Sequence, residues 1–183
     1  MPTTYKLIQT TTVGSGGAAT VSFSSIPQTY TDLVVVGSVR STSTTSNTGE
    51  YDVMAYRFNA TTSGYTAKVM EGSGTSAVSS SQTTATGSGG GTYGRISDGG
   101  INNSLSGTSI FSSFNMYIPN YAGSTNKSWS CESVEERNVT ASYMGMVAGL
   151  WSNTAAITEI TFALLVANYA EYSSFSLYGI KNS

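Results

Sequence analysis

The sequence predicts an all-β protein: a jelly-roll-like antiparallel β-sandwich of about eight to ten strands, with one long Gly/Ser-rich surface excursion. Three observations predict it. The apolar residues come in short bursts separated by Gly, Ser, Thr and Asn, the residues that punctuate strands. The bursts are rich in Val, Ile, Thr, Tyr and Phe, which suit a pleated, half-buried surface. No window keeps apolar residues at i, i+3, i+4, i+7 for more than about two turns, so a helical template fits poorly.

The elements follow in order. Residues 4–12 (TYKLIQTTT) form a first strand, and the glycine-rich turn 14–17 leads to a second at 19–25 (ATVSFSS), ended by Ile26-Pro27. Residues 32–39 (DLVVVGSV) are nearly all apolar, as expected of a central strand buried on both faces. A polar loop at 41–49 precedes 51–58 (YDVMAYRF). There Tyr51, Val53, Ala55 and Arg57 share one face and Asp52, Met54, Tyr56 and Phe58 the other, with either face able to be the buried one. Residues 65–70 (YTAKVM) form the next strand.

The stretch 71–109 has no sustained periodicity and few large apolar side chains. A Gly/Ser-rich linker would need a second domain beyond it, yet the strand pattern resumes. It is therefore expected to be a long loop or insertion inside a single domain spanning 1–183, with Val78 and Ile96 as anchors for short extra strands. Strands follow at 110–118 (stopped by Pro119-Asn120), 127–137, 142–152, 157–166 and 174–181. Along 127–137, Trp129, Cys131, Ser133 and Glu135 face one way and Ser128, Ser130, Glu132 and Val134 the other. Regularly spaced strands and turns indicate a sandwich or barrel, and eight strands with long connections suit a jelly roll best.

Composition narrows the function. Of 183 residues, 8 are Lys or Arg and 10 are Asp or Glu, and there is no His. Charged residues make up 10 %, against a usual share of about 25 %. Ser and Thr fill roughly a third of the positions instead. Without His, Ser–His–Asp and Cys–His machinery are excluded, and the commonest metal ligand is lost. The single Cys131 cannot make an intrachain disulfide or a thiolate metal site and reads as a small buried side chain. A net charge of −2 argues against a nucleic-acid partner. No apolar run is long enough to span a membrane as a helix. Residues 1–8 lack the basic and apolar regions of a signal peptide, so folding in a cytoplasm is expected.

Few residues offer chemistry. Glu50 and Asp52 lie two apart on one strand face, the arrangement a carbohydrate-active enzyme would need; solvated strand edges explain them as well. Asp98 to Asn103 sets oxygen ligands around glycines but lacks EF-hand spacing, and turn chemistry accounts for it. The sequons at Asn59, Asn102, Asn126 and Asn138 are expected by chance in so Ser/Thr-rich a chain. No cofactor is expected. Tyrosine stands out: there are 12. Tyr65, Tyr93, Tyr117, Tyr121, Tyr143, Tyr169 and Tyr172 fall near predicted strand ends or loops. All but Tyr143 are taken as candidates for an interface or for glycan stacking. Capping of a sandwich rim is the competing role for these rings. A Ser/Thr/Gly/Asn surface loses little on desolvation, which suits a large repeated interface.

Four phrases carry a resemblance: SFSSIPQTYTDLVVVGSVRS (22–41), YIPNYAGSTNKS (117–128), GLWSNTAAITEITF (149–162) and FSLYGIKNS (175–183). Together they resemble small structural proteins of tailed bacteriophages, especially those of marine and freshwater phages, cyanophages among them. The resemblance implies a non-enzymatic β-sandwich of the virion, assembled in the host bacterial cytoplasm, and it carries over no functional residues. The leading expectation is a capsid decoration (cement) protein, trimeric, bound to the major capsid protein across capsomer junctions. The alternative is a tail or tail-fibre receptor-binding protein that recognises host surface glycans.

Overall fold

The computed structural model describes residues 4–44, 51–88, 90–96, 100–106, 109–137 and 142–181. Among them are fifteen strands: β1 (Tyr5–Thr12), β2 (Thr20–Phe23), β3 (Asp32–Val39), β4 (Tyr51–Asp52), β5 (Met54–Phe58), β6 (Tyr65–Gly72), β7 (Ala77–Gln82), β8 (Thr84–Thr86), β9 (Thr92–Arg95), β10 (Ile101–Asn102), β11 (Ser112–Ile118), β12 (Lys127–Glu135), β13 (Tyr143–Trp151), β14 (Ile160–Leu164) and β15 (Ser174–Ile180). One 3₁₀ turn, Ser104–Ser106, accompanies them.

The strands form an eight-stranded sheet, β1-β15-β3-β11-β12-β13-β6-β7, and a five-stranded sheet, β2-β14-β5-β9-β8. The pair β10-β4 forms a small third sheet. Every pairing is antiparallel. Eight strands wind as a jelly roll: β1-β15-β3-β11 stand in one layer and β2-β14-β5-β9 in the other. The path β1, β2, β3, β5, β9, β11, β14, β15 changes sheet at every step except β5 to β9. Two connections carry extra strands. The hairpin β12–β13 adds itself to β11, and β6–β7 adds itself to β13. Half of the larger sheet is thus built from insertions.

Alternation explains which faces meet. Along β12 the burial is strictly periodic: Trp129, Cys131, Ser133 and Glu135 point inward, and Ser128, Ser130, Glu132 and Val134 outward. For 51–58 the packing selects the face with Met54, Tyr56 and Phe58, which enter the main core, while Ala55 packs with Tyr93 and Ala163 on the opposite face. Strand β3 is central, between β15 and β11, and its first four residues are buried. Cys131 is buried, as its place on a strand implies.

The core is aromatic. Phe114, Phe162, Phe175 and Tyr169 pack at ring separations of 5.0–5.8 Å on the jelly-roll side, and Tyr56 contacts Phe58, Tyr65 and Trp129 at 4.7–5.2 Å toward the insertion. Several rings lie over glycines directly opposite in register: Phe114 on Gly37, Trp129 on Gly149, Tyr56 on Gly94. A Cβ at Gly149 would come within 2.0 Å of the Trp129 indole, and one at Gly37 within 2.2 Å of the Phe114 ring. These glycines supply room for a ring and are not turn residues.

The stretch 71–109 contains the short extra strands expected around Val78 and Ile96: Val78 lies in β7, and Ile96 directly follows β9. It supplies the end of β6 and all of β7, β8, β9 and β10. Backbone pairing carries these strands more than side-chain burial does: β7 is exposed or half-buried along its length yet keeps six register pairs with β6. Ile96 is buried, whereas Val78 is exposed.

Candidate functional site

Four of the six tyrosines taken as surface candidates are core residues, and this corrects the expectation. Tyr65 is buried; its hydroxyl accepts a hydrogen bond from the Phe58 amide at 2.9 Å and pairs with Thr61 Oγ1 at 2.8 Å, tying the turn between β5 and β6. Tyr93 is buried beneath Arg57, whose guanidinium lies 4.8 Å from the ring centre. Tyr121 is buried and donates its hydroxyl to the Pro27 carbonyl. Tyr169 is buried edge-on to Phe175. Tyr65, Tyr121 and Tyr169 belong to the core between the sheets, and Tyr93 packs with Ala55 and Ala163 on the opposite face of the five-stranded sheet, because burying a large ring outweighs leaving it in water. Tyr117 and Tyr172 are exposed, at 37 % and 71 %. Tyr117 donates its hydroxyl to Asp32 Oδ2 at 2.8 Å, and Tyr172 has a left-handed backbone, φ 69°. Tyr117 is on β11 and Tyr172 on the connection before β15, and among the described residues no hydrogen bond or ring contact joins them.

The suggested carboxylate pair fares similarly. Glu50 lies outside the described residues. Asp52 is buried, and its carboxylate accepts hydrogen bonds from Ser41 Oγ and from the amides of Val53, Val166 and Ala167, at 2.8–3.2 Å. Burial pushes its pKa up against those four bonds. Asp52 clasps β4 to the segment after β14. Asp98 and Asn138 also lie outside the described residues, Asn102 and Asn103 are buried, and Asn59 spends its side chain on Ala156, Thr158 and Glu159.

Polar groups gather instead at the far end of the inserted strands. Ser133 and Glu135 reach inward from β12, Tyr143 and Gly145 lie opposite them on β13, and Glu71 lies opposite Gly145 on β6. Gly145 leaves space between Ser133 Oγ and the Glu71 carboxyl; a Cβ there would stand 3.3 Å from the first and 3.7 Å from the second. Ser133 Oγ is buried with no hydrogen-bond partner. Glu135 is fully buried; it pairs with Arg137 and accepts the Tyr143 amide at 3.2 Å. Burial raises its pKa to about 7, with the Arg137 charge opposing the shift.

Two depressions open beside this cluster. One, of about 470 Å³, is lined by Tyr51, Asp52, Glu71, Arg95, Tyr143 and the apolar side chains of Val53, Val78, Leu165 and Val166. The second, of about 400 Å³, is bounded by Val134, Glu135, Glu136, Ser142, Tyr143 and Met144. They share Tyr143 and Ser73. The Tyr143 ring meets Tyr51 edge-on at 4.9 Å. Sequence reasoning named Tyr143 as lying near a strand end but missed Tyr51, Glu71 and Arg95. The available signal was the alternation of β12, which put the charge of Glu135 on the same face as Trp129.

A different surface covers the outer side of the same strands. Met70, Met144, Met146 and Val134 are exposed at 68, 60, 57 and 44 %. Register makes them neighbours: Met146 lies opposite Met70, and Met144 opposite Val134. Lys68 and Glu132 stand beside them.

Comparison with family models, with curated proteins and with solved structures finds no match.

Proposed function

We propose that the chain is a non-enzymatic structural protein of a bacteriophage virion: a capsid decoration (cement) protein that stabilises the head by binding across capsomer junctions. The observation that supports this reading best is the outer face of β6, β12 and β13. Three methionines and a valine stand exposed and adjacent on one sheet face, and contiguous exposed apolar surface of this kind marks an interaction face. Methionine is apolar yet adaptable, so one patch can seat against the slightly different surroundings that quasi-equivalent capsomers present. Elsewhere on that face Thr66, Ser128 and Ser130 are cheap to desolvate and to order, and Lys68 and Glu132 stand beside the apolar patch. Assembly as a trimer on the major capsid protein is part of the proposal. Binding only to assembled shell would stabilise that shell by mass action.

The test uses heads stripped of the protein. Adding the native chain back raises the temperature at which they rupture. The triple variant Met70→Ser, Met144→Ser, Met146→Ser folds with an unchanged circular dichroism spectrum but fails to sediment with the heads. Unchanged rupture with the native chain, or undiminished sedimentation of the variant, would falsify the reading.

A further inference from the structure

We propose that Met70, Met144 and Met146 together bind a soft monovalent metal ion, of the class of copper(I) and silver(I). This rests on the three side chains and not on the virion reading, and it goes beyond that reading.

Placement comes first. On the outer face of β6 and β13, Met146 lies opposite Met70, and Met144 lies opposite Gly72. These four positions are the corners of one cross-strand quadrilateral. Opposite Cβ atoms in such a pair stand about 4.5–5.5 Å apart, and alternate residues of one strand about 6.8 Å apart. Three corners carry a thioether and the fourth carries no side chain. The Met144 side chain leans toward that gap: a Cβ at Gly72 would stand 3.8 Å from Met144 Cγ. All three methionines line one depression of about 200 Å³, with Gly72 and Ala77. Glu71 and Gly145 also border it, but strand alternation turns both positions to the inward face.

The donor chemistry selects the ion. A thioether is uncharged and only a weak hydrogen-bond acceptor, so it offers little to magnesium or calcium, which take oxygen ligands. Its sulfur is polarisable, and thioether ligands favour copper(I) among biological metals. Three rotatable bonds let each methionine bring its sulfur to a common centre, while the paired strands fix where the side chains start. The side chains are exposed, so an ion has a path to them. Glu132 stands beside Met146 on β12. Lys68 donates its ammonium to Ser81 Oγ on β7, which holds that charge to one side of the three sulfurs.

Titration calorimetry with silver nitrate in chloride-free buffer, and the methionine methyl resonances of the full chain, test the proposal. Silver(I) is the air-stable probe of this ion class. One ion per chain is expected to bind. The methyl signals of Met70, Met144 and Met146 should shift, and those of the buried Met54 and Met116 should not. Met144→Leu should weaken binding, and the triple change Met70→Leu, Met144→Leu, Met146→Leu should abolish it. Magnesium and zinc nitrate should move none of these signals. Leucine keeps the face apolar, so the triple leucine change removes the metal site without removing the surface on which the virion reading depends, and the two readings fail separately. No silver binding, binding that moves none of the three methyl signals, as capture by the buried Cys131 thiol would give, undiminished binding after the triple leucine change, or equal binding of zinc overturns the proposal.

Discussion

At the scale of single residues, the fold depends on where side chains are missing as much as on where they are. Gly149 has ordinary strand geometry, yet the Trp129 indole occupies the place of its Cβ. Gly149→Ala must push that indole off its contact with Tyr56, an overpacking cost of about 1–3 kcal/mol. A fall of several degrees in the thermal midpoint, partly recovered by pairing the change with Trp129→Leu, is the expected calorimetric result. Glu135 makes a second residue-scale prediction. Burial raises its folded pKa from 4.5 to about 7, so the native state holds this proton more tightly than the unfolded chain does. The resulting stabilisation is complete below pH 4.5 and is lost as pH rises through 7. Asp52, also shifted upward, acts with the same sign. The thermal midpoint should therefore decline from about pH 5 to about pH 8, and Glu135→Gln should flatten that decline.

Among the elements, those that pack by side chain and those that pair by backbone differ in how they were coded. Strand β3 was predicted residue for residue, because Leu33, Val34 and Val35 leave no other reading of 32–39. The alternation of β12 foretold its inward face as far as Glu135. By contrast, AVSSSQ carries almost no apolar signal, and β7 exists because β6 offers it a partner edge. Strand β9 was signalled only by Ile96 at its end, because Gly94 lowers strand propensity locally but admits the Tyr56 ring opposite it. The first depression was illegible because Glu71 on β6 and Arg95 on β9 belong to different sheets and meet only once the sheets pack. Hydrogen exchange should expose the difference. Amides of β3, flanked on both sides, should exchange orders of magnitude more slowly than those of β7, which closes the sheet with one free edge.

For the whole molecule, the jelly roll is the frame and its insertions enlarge one sheet. The eight-strand winding contains the Phe114–Phe162–Phe175 cluster, and the same core continues through Tyr56 and Phe58 onto Trp129 and Trp151 of the insertions. The added β12–β13 and β6–β7 hairpins carry the methionine face; its Val134 and Met144 also bound the second depression, whereas the first opens where β6 and β13 meet β4, β9 and the segment after β14. The tyrosines show why sequence alone misplaced the site. Tyr65, Tyr93, Tyr121 and Tyr169 sit near strand ends just as Tyr117 and Tyr172 do; the packing of the two sheets covers Tyr65, Tyr121 and Tyr169, and Arg57 with Ala55 and Ala163 covers Tyr93.

The place of β15 has a consequence for how the molecule comes into being. It lies between β1 and β3, pairing with seven residues of each. During synthesis both neighbours leave the ribosome long before it, so the larger sheet keeps an open slot with two unpaired edges until residues 174–180 are made. A nascent chain must hold those edges apart from other chains, because exposed strand edges invite pairing with them. The low apolar content of β1, whose Lys6, Gln9 and three threonines face solvent or the rim, makes that wait safer. Translation order thus sets a demand on the sequence of a strand that the finished fold, with every slot filled, would not reveal.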